Sequence, residues 1–112
     1  MEIASGLIKL KSDSNAKVEE WRNTMTSRLS EALATLKHEG VEIESWFRVT
    51  IGGDDYLLWY MRAESIQKAF EVSQTFEHPI DKYHYELMES ITAPDGITIA
   101  EPFYDPKLLN EI

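Results

Sequence analysis

The alternation of apolar and polar positions divides the chain into elements before any single residue is considered. Ile3 to Leu10 is a short apolar run bounded by Ser12-Asp13-Ser14-Asn15. It is too short for a buried helix and ends in turn chemistry, which predicts a strand. Ala4 and Gly6 fall on one face of it, where small side chains permit close packing from above. The period then changes. Val18, Trp21, Met25, Leu29, Leu33 and Leu36 recur at spacings of three and four and predict one helix from Asn15 to His38 with a single apolar stripe. Ser14 or Asn15 supplies the cap, Glu19 and Glu20 suit the positive end, and Lys37 and His38 suit the negative end. Gly40 provides the left-handed residue that ends the helix.

Val41 to Ile51 alternates with period two, Gly52-Gly53-Asp54-Asp55 is a turn, and Tyr56 to Arg62 is the returning strand. Pairing Gly52 with Tyr56 would gather Phe47, Val49, Ile51, Leu57, Trp59 and Met61 on one apolar face. Trp46, Arg48, Thr50, Tyr56, Leu58, Tyr60 and Arg62 would form the other. A one-residue slip would set Arg48 beside Trp59 and Leu57, so the segregated register is the expected one. Ser65 caps a second helix carrying Ile66, Ala69, Phe70, Ser73 and Phe76. Pro79 breaks it at His78 and opens a further helical stretch with Ile80, Tyr83, His84, Leu87 and Ile91 on one side. Pro94-Asp95-Gly96 reads as a turn and Ile97 to Phe103 as a last strand, with Pro102 marking a sheet edge.

Composition narrows the class. The chain has 112 residues and a 43% hydrophobic fraction, which suits one packed domain over 1–112 with a core at about 3–103. A tail over 104–112 carries Leu108, Leu109 and Ile112 and is expected to dock on its own domain or on a partner. Eleven basic against twenty acidic residues give a net charge of −9, so nucleic acid and anionic membrane surfaces are poor partners. There are no cysteines, no apolar run near the roughly 20 residues of a membrane span, and no basic start of a signal peptide. The expectation is a cytoplasmic protein.

The order strand, helix, strand, strand, helix, strand predicts a ferredoxin-like α+β fold. Its four-stranded antiparallel sheet has the helices on one face. Each helix has one apolar stripe, so the opposite face, with Trp46, Leu58 and Tyr60, is left bare. A patch of this kind predicts pairing through the sheet face into a homodimer. The capped helix with Val18-Glu19-Glu20-Trp21-Arg22, the hairpin Trp46-Phe47-Arg48 and Leu58-Trp59-Tyr60, and the helix interrupted at Pro79 resemble the dimeric α+β barrel superfamily. More narrowly, they resemble an uncharacterised family of small bacterial domains within it. The resemblance covers Ile3 to Phe103 and implies two ferredoxin-like domains stacked sheet to sheet. That superfamily includes cofactor-free monooxygenases, haem-degrading enzymes, muconolactone-isomerase-like proteins and stress-response proteins, so the fold does not choose a function.

Strict catalytic motifs are absent: no phosphate loop, HExxH, EF-hand loop or nucleophile elbow. The expected ligand-binding residues are Trp46, Arg48, Tyr60, Arg62, His84 and Glu101. His84 lies on the apolar side of its helix, where a neutral imidazole acts as base or ligand, or is merely satisfied by a backbone carbonyl or Asp81. Trp46, Arg48, Tyr60 and Arg62 would form an aromatic and cationic cluster for a planar or anionic molecule, unless the arginines simply meet Glu42, Glu44 or Glu101. Glu101 is in line with Ile97, Ile99 and Phe103 and reaches a semi-buried site or guards an edge strand. The spacing of His78 and His84 is not that of a metal site, and no metal or cofactor is expected. The asparagine, tryptophan and histidine set of the haem-degrading members has no counterpart, because Asn15, Asn23 and Asn110 are at a helix start, on an exposed helix face and in the tail. The leading reading is a homodimer binding a small organic molecule. The alternatives are a cofactor-independent monooxygenase or isomerase, with His84 or Tyr60 assisting proton transfer, and a non-catalytic protein-interaction module.

Overall fold

The computed structural model describes residues 1–106. Its elements are β1 (Glu2–Leu10), α1 (Asn15–Ser27), α2 (Leu29–Glu39), β2 (Val41–Ile51), β3 (Asp54–Ala63), α3 (Ile66–Ser73), α4 (Pro79–Ile91) and β4 (Thr92–Ala100). The strands form one four-stranded sheet in the order β2-β3-β1-β4, with every neighbouring pair antiparallel. This is the expected ferredoxin-like α+β arrangement, with each crossover helix divided in two. Local signals explain most ends. Ser65 accepts a hydrogen bond from the Lys68 N–H, Pro79 occupies the first turn of α4, and Gly40 closes α2 at φ 73°.

The single helix expected over Asn15 to His38 is instead two. Arg28 leaves helical geometry (φ −108°, ψ 35°), and its guanidinium grips Glu31 one turn on, at 2.7 and 2.8 Å. The break rotates the second half of the stripe. Val18 and Trp21 stay buried, but Leu29 and Leu33 are each 55% exposed and Thr35 takes the inward position. The Thr35 hydroxyl tolerates this because it donates to the Ala32 carbonyl at 2.7 Å.

The hairpin register also differs from expectation. Ile51 pairs with Asp54 and Trp46 with Trp59 across a tight Gly52-Gly53 turn whose φ angles are 59° and 85°. Two successive positive φ values make the turn that suits a twisted hairpin, and only glycine adopts both freely. The consequence is the slip that the segregated pattern argued against. Trp46 and Arg48 share the helix side with Leu57, Trp59 and Met61, while Phe47, Val49 and Ile51 share the other face with Tyr56, Leu58 and Tyr60. The bare face is therefore apolar, with Leu58 and Tyr60 as expected but with Phe47, Val49 and Ile51 there in place of Trp46. Ile43, Phe47 and Ile51 are all well exposed there, flanked by the half-buried Leu7, Leu58 and Tyr60.

The last strand starts earlier than Ile97, directly where α4 ends, and stops at Ala100 rather than Phe103. Pro94-Asp95-Gly96 does not separate helix from strand. It forms an irregularity inside β4, between the pairs Leu10–Thr92 and Ile8–Ile97. The core lies between sheet and helices, where Ile91 of α4 shares one buried cluster with Leu57, Met61 and Ala63 of β3, and Ile80 is likewise essentially fully buried. Past β4 the chain returns to its own sheet. Asp105 accepts a hydrogen bond from the Arg62 Nη2 at 2.6 Å, whereas Phe103 and Tyr104 project outward. Leu108, Leu109 and Ile112 lie outside the described residues. No helix among the described residues is long and apolar enough to cross a membrane.

Candidate functional site

Sheet and helices do not close completely on one another. A cleft of about 950 Å³ remains, with Trp46, Trp59 and Met61 on the sheet side and Trp21, Phe70 and His84 on the helix side. All three tryptophans of the chain line it. It extends toward β4, where Ile97 and Ile99 are more than half exposed.

One end is organised around His84. The Trp21 indole N–H donates to His84 Nδ1 at 3.0 Å, so the neutral ring must carry its proton on Nε2. Burial lowers the His84 pKa to about 4, and the imidazole stays neutral at ordinary pH. Trp46 packs edge-on at 5.2 Å from Trp21 and 5.5 Å from His84, and Tyr85 stands 5.4 Å from His84 on the same helix. The Tyr85 hydroxyl is 2.6 Å from that of Ser73.

Four carboxyl groups line the cleft: the exposed Glu89 of α4 and three that act on one another, Glu39 at the end of α2, Glu44 in β2 and Asp81 in the first turn of α4. Burial first, and then the neighbouring Asp81 and Glu44, push Glu39 up to about 8. Burial and Asp81 push Glu44 up to about 7, with the Trp46 indole acting the other way. Asp81 is raised by burial too, against the attraction of His78 and His38. Burial, and then these acids, raise the Tyr85 phenol. No lysine or arginine lines the cleft among the described residues, and no group of three or more acidic or histidine side chains there has the geometry of a metal site. Near neutral pH the cleft therefore offers protonated and ionised carboxyls side by side, a neutral imidazole N–H, and broad aromatic walls.

The expected site residues separate. Trp46 and His84 meet in the cleft. Arg48 is on the helix side but at the rim, paired with Glu19 at 3.2 Å. Tyr60 and Arg62 are on the opposite face, where the Arg62 Nε donates to the Tyr60 hydroxyl at 3.1 Å. Glu101 is exposed just past β4. The aromatic and cationic cluster thus divides between two faces, because the hairpin register is offset from the expected one. Neither arginine meets Glu42, Glu44 or Glu101, and the partner of His84 is Trp21 rather than a carbonyl or Asp81. Sequence reasoning took Trp21 for core and missed Glu39, Glu44, Asp81 and Tyr85 as site residues. The available signal was the period-two match of Glu44 with Trp46.

A profile of a protein family of unknown function, DUF6176, matches residues 1–110. No curated protein matches the sequence. Among solved structures, the chain is similar to an L-rhamnose mutarotase from Formosa agariphila, with 18% identity over 94% of this chain and 98% of that one (TM-score 0.57). It is similar to the tetracenomycin F2 cyclase of Streptomyces glaucescens, a type-II polyketide cyclase, with 16% identity over 94% and 96% (TM-score 0.57). It is also similar to a dimeric ferredoxin-like protein from an uncultured marine organism, with 12% identity over 93% and 100% (TM-score 0.58). These likenesses show a shared ferredoxin-like α+β fold.

Proposed function

The chain belongs to the DUF6176 family, and we propose that it binds a small organic molecule in the helix-side cleft, as a homodimer joined through its bare sheet faces. The observation that carries this reading is the cleft itself. A volume of about 950 Å³ with aromatic walls and a few convergent polar groups has the size and lining of a small-molecule site. Two of the similar structures, an L-rhamnose mutarotase and a polyketide cyclase, work on small organic molecules within this fold. The homodimer is supported by the exposed Ile43, Phe47 and Ile51. Burying ~100 Å² of each at ~25 cal/mol/Å² favours association by roughly 2.5 kcal/mol per side chain before the cost of ordering. Native mass spectrometry of the purified protein, with a thermal-shift screen of small organic compounds, tests both parts. A dimer at micromolar concentration and a hit lost in Trp46→Ala are expected. A monomer, or a hit indifferent to Trp46, would refute them.

A second reading, isomerase-like proton transfer, is favoured by the two carboxyls that ionise at about 7 and about 8 in one cleft. One can give a proton while the other accepts one. His84 would serve there as a hydrogen-bond donor, since Trp21 occupies its basic nitrogen. Tyr60 is excluded from that role by its face.

A further inference from the structure

Resting on the binding reading above, we infer that the cleft selects an organic cation. A protonated amine sits against Glu39, Glu44 and Asp81, an oxygen on the same molecule accepts from His84 Nε2, and an aromatic body lies against Trp21 and Trp46. Three observations converge on this class of ligand. Three acids from α2, β2 and α4 face one space, and none of them has an ion pair to a cationic side chain among the described residues. Arg28, Arg48 and Arg62 pair elsewhere, with Glu31, Glu19 and Asp105. The nearest compensating groups are His38 and His78, which act on Asp81; His38 is itself 3.5 Å from Glu77. Partly buried carboxylates without a counter-charge carry a desolvation cost, so a cation that supplies it is favoured and an anion is rejected.

The second observation is independent of the acids. His84 is half-buried and hydrogen-bonded through Nδ1, which leaves its Nε2–H open to a ligand on the wall of the same cleft. A neutral imidazole N–H calls for an acceptor, which an ammonium is not, so the ligand has an oxygen as well as a charged nitrogen. The third is the pair Trp21 and Trp46 at 5.2 Å, whose ring faces attract a cation and pack an aromatic ring. Burial also raises Glu39 and Glu44, so an entering cation would draw their protons off.

The test is a matched series sharing one phenylcarbinol body: 2-amino-1-phenylethanol (cation), 1-phenylethane-1,2-diol (neutral) and mandelate (anion). The tryptophans line the cleft, so their fluorescence reports occupancy directly. The amine is expected to bind at least about tenfold more tightly than the diol, with mandelate weakest. Its binding at pH 7.5 should release protons, measured as a dependence of the calorimetric heat on buffer ionisation enthalpy. Glu39→Gln and Glu44→Gln should each weaken the amine by about tenfold and leave the diol within about twofold, and Asp81→Asn serves if either fails to fold. If diol or mandelate binds as tightly as the amine, the charge preference is wrong and the binding cleft stands. If none of the three changes the fluorescence at millimolar concentration, both readings fall.

Discussion

The two faces of the sheet are both apolar, yet they differ in how that apolar surface is used. On the helix side, Leu57, Trp59 and Met61 are buried beneath α1 to α4, but the cover is incomplete and the gap receives carboxyl groups. On the other side, Phe47 and Ile51 are well exposed and Leu58 is half-buried, with the tail residue Asp105 held at Arg62. A face built only for stability would be filled with side chains of matching volume. The helix side instead tolerates Glu39 and Glu44, which burial pushes up to about 8 and about 7 at a cost in stability, as the proposed binding site would require. The bare side has no such strain, only surface that a second copy would remove from water.

The sharpest way to break this contrast is to put a charge on the bare face. Leu58→Asp should weaken self-association by roughly 100-fold or more, read by sedimentation equilibrium, while leaving the cleft's ligand response intact in the monomer. An unchanged dimer would mean that this face is not the interface. Next in size is Gly6→Ala, under the cleft floor. A methyl there would meet the Thr98 carbonyl oxygen at 2.9 Å and the Trp59 ring at 3.0 Å. It should lower stability by about 1–3 kcal/mol in denaturant titration and shift Trp59 emission.

Glu44→Gln sharpens the helix side. A carboxyl raised from 4.5 to about 7 binds its proton more tightly in the folded than in the unfolded chain. Stability therefore falls as pH rises from about 4.5 through 7, and the loss is complete above it. The glutamine variant should melt a few degrees higher than the parent at pH 8, of order 1 kcal/mol, and nearly level with it at pH 4. A lower melting temperature at pH 8 would show that the carboxylate is stabilised after all. The smallest effect is expected at the edge of the bare face. Asp105→Asn should leave the melting temperature almost unchanged but speed proteolytic cleavage next to residue 105, measured by mass spectrometry, because it weakens the contact that ties Asp105 to Arg62.

Much of the layout was legible because its signals are local. Gly40, Ser65 and Pro79 act on their own turns, and the strand and helix order follows from them. The hairpin register was misread for a physical reason. Choosing it by segregating apolar residues assumes one wet face, whereas here Trp46 and Trp59 line one side while Phe47 and Leu58 occupy the other. With both faces apolar the alternation carries no preference, and the two-residue Gly52-Gly53 turn decides. The division of the first helix was hidden because Leu29 and Leu33 keep the helical spacing although they face water. The site was only half legible. Trp46 and His84 announced themselves by type and position, but Trp21 reaches His84 from far along the chain. Glu39, Glu44 and Asp81, each an ordinary surface acid in its own segment, meet only after folding.

The direct passage from Ile91 of α4 to Thr92 of β4 leaves the chain no slack at that point. Asp81 and His84 of α4 and Thr92 at the start of β4, all lining the cleft, are thereby indexed to a common residue count. Adding or deleting a single amino acid at the junction would either turn the helix by about 100° or flip the strand's side chains to the reverse side. Length variation among relatives should therefore be tolerated at the hairpin tip and forbidden here.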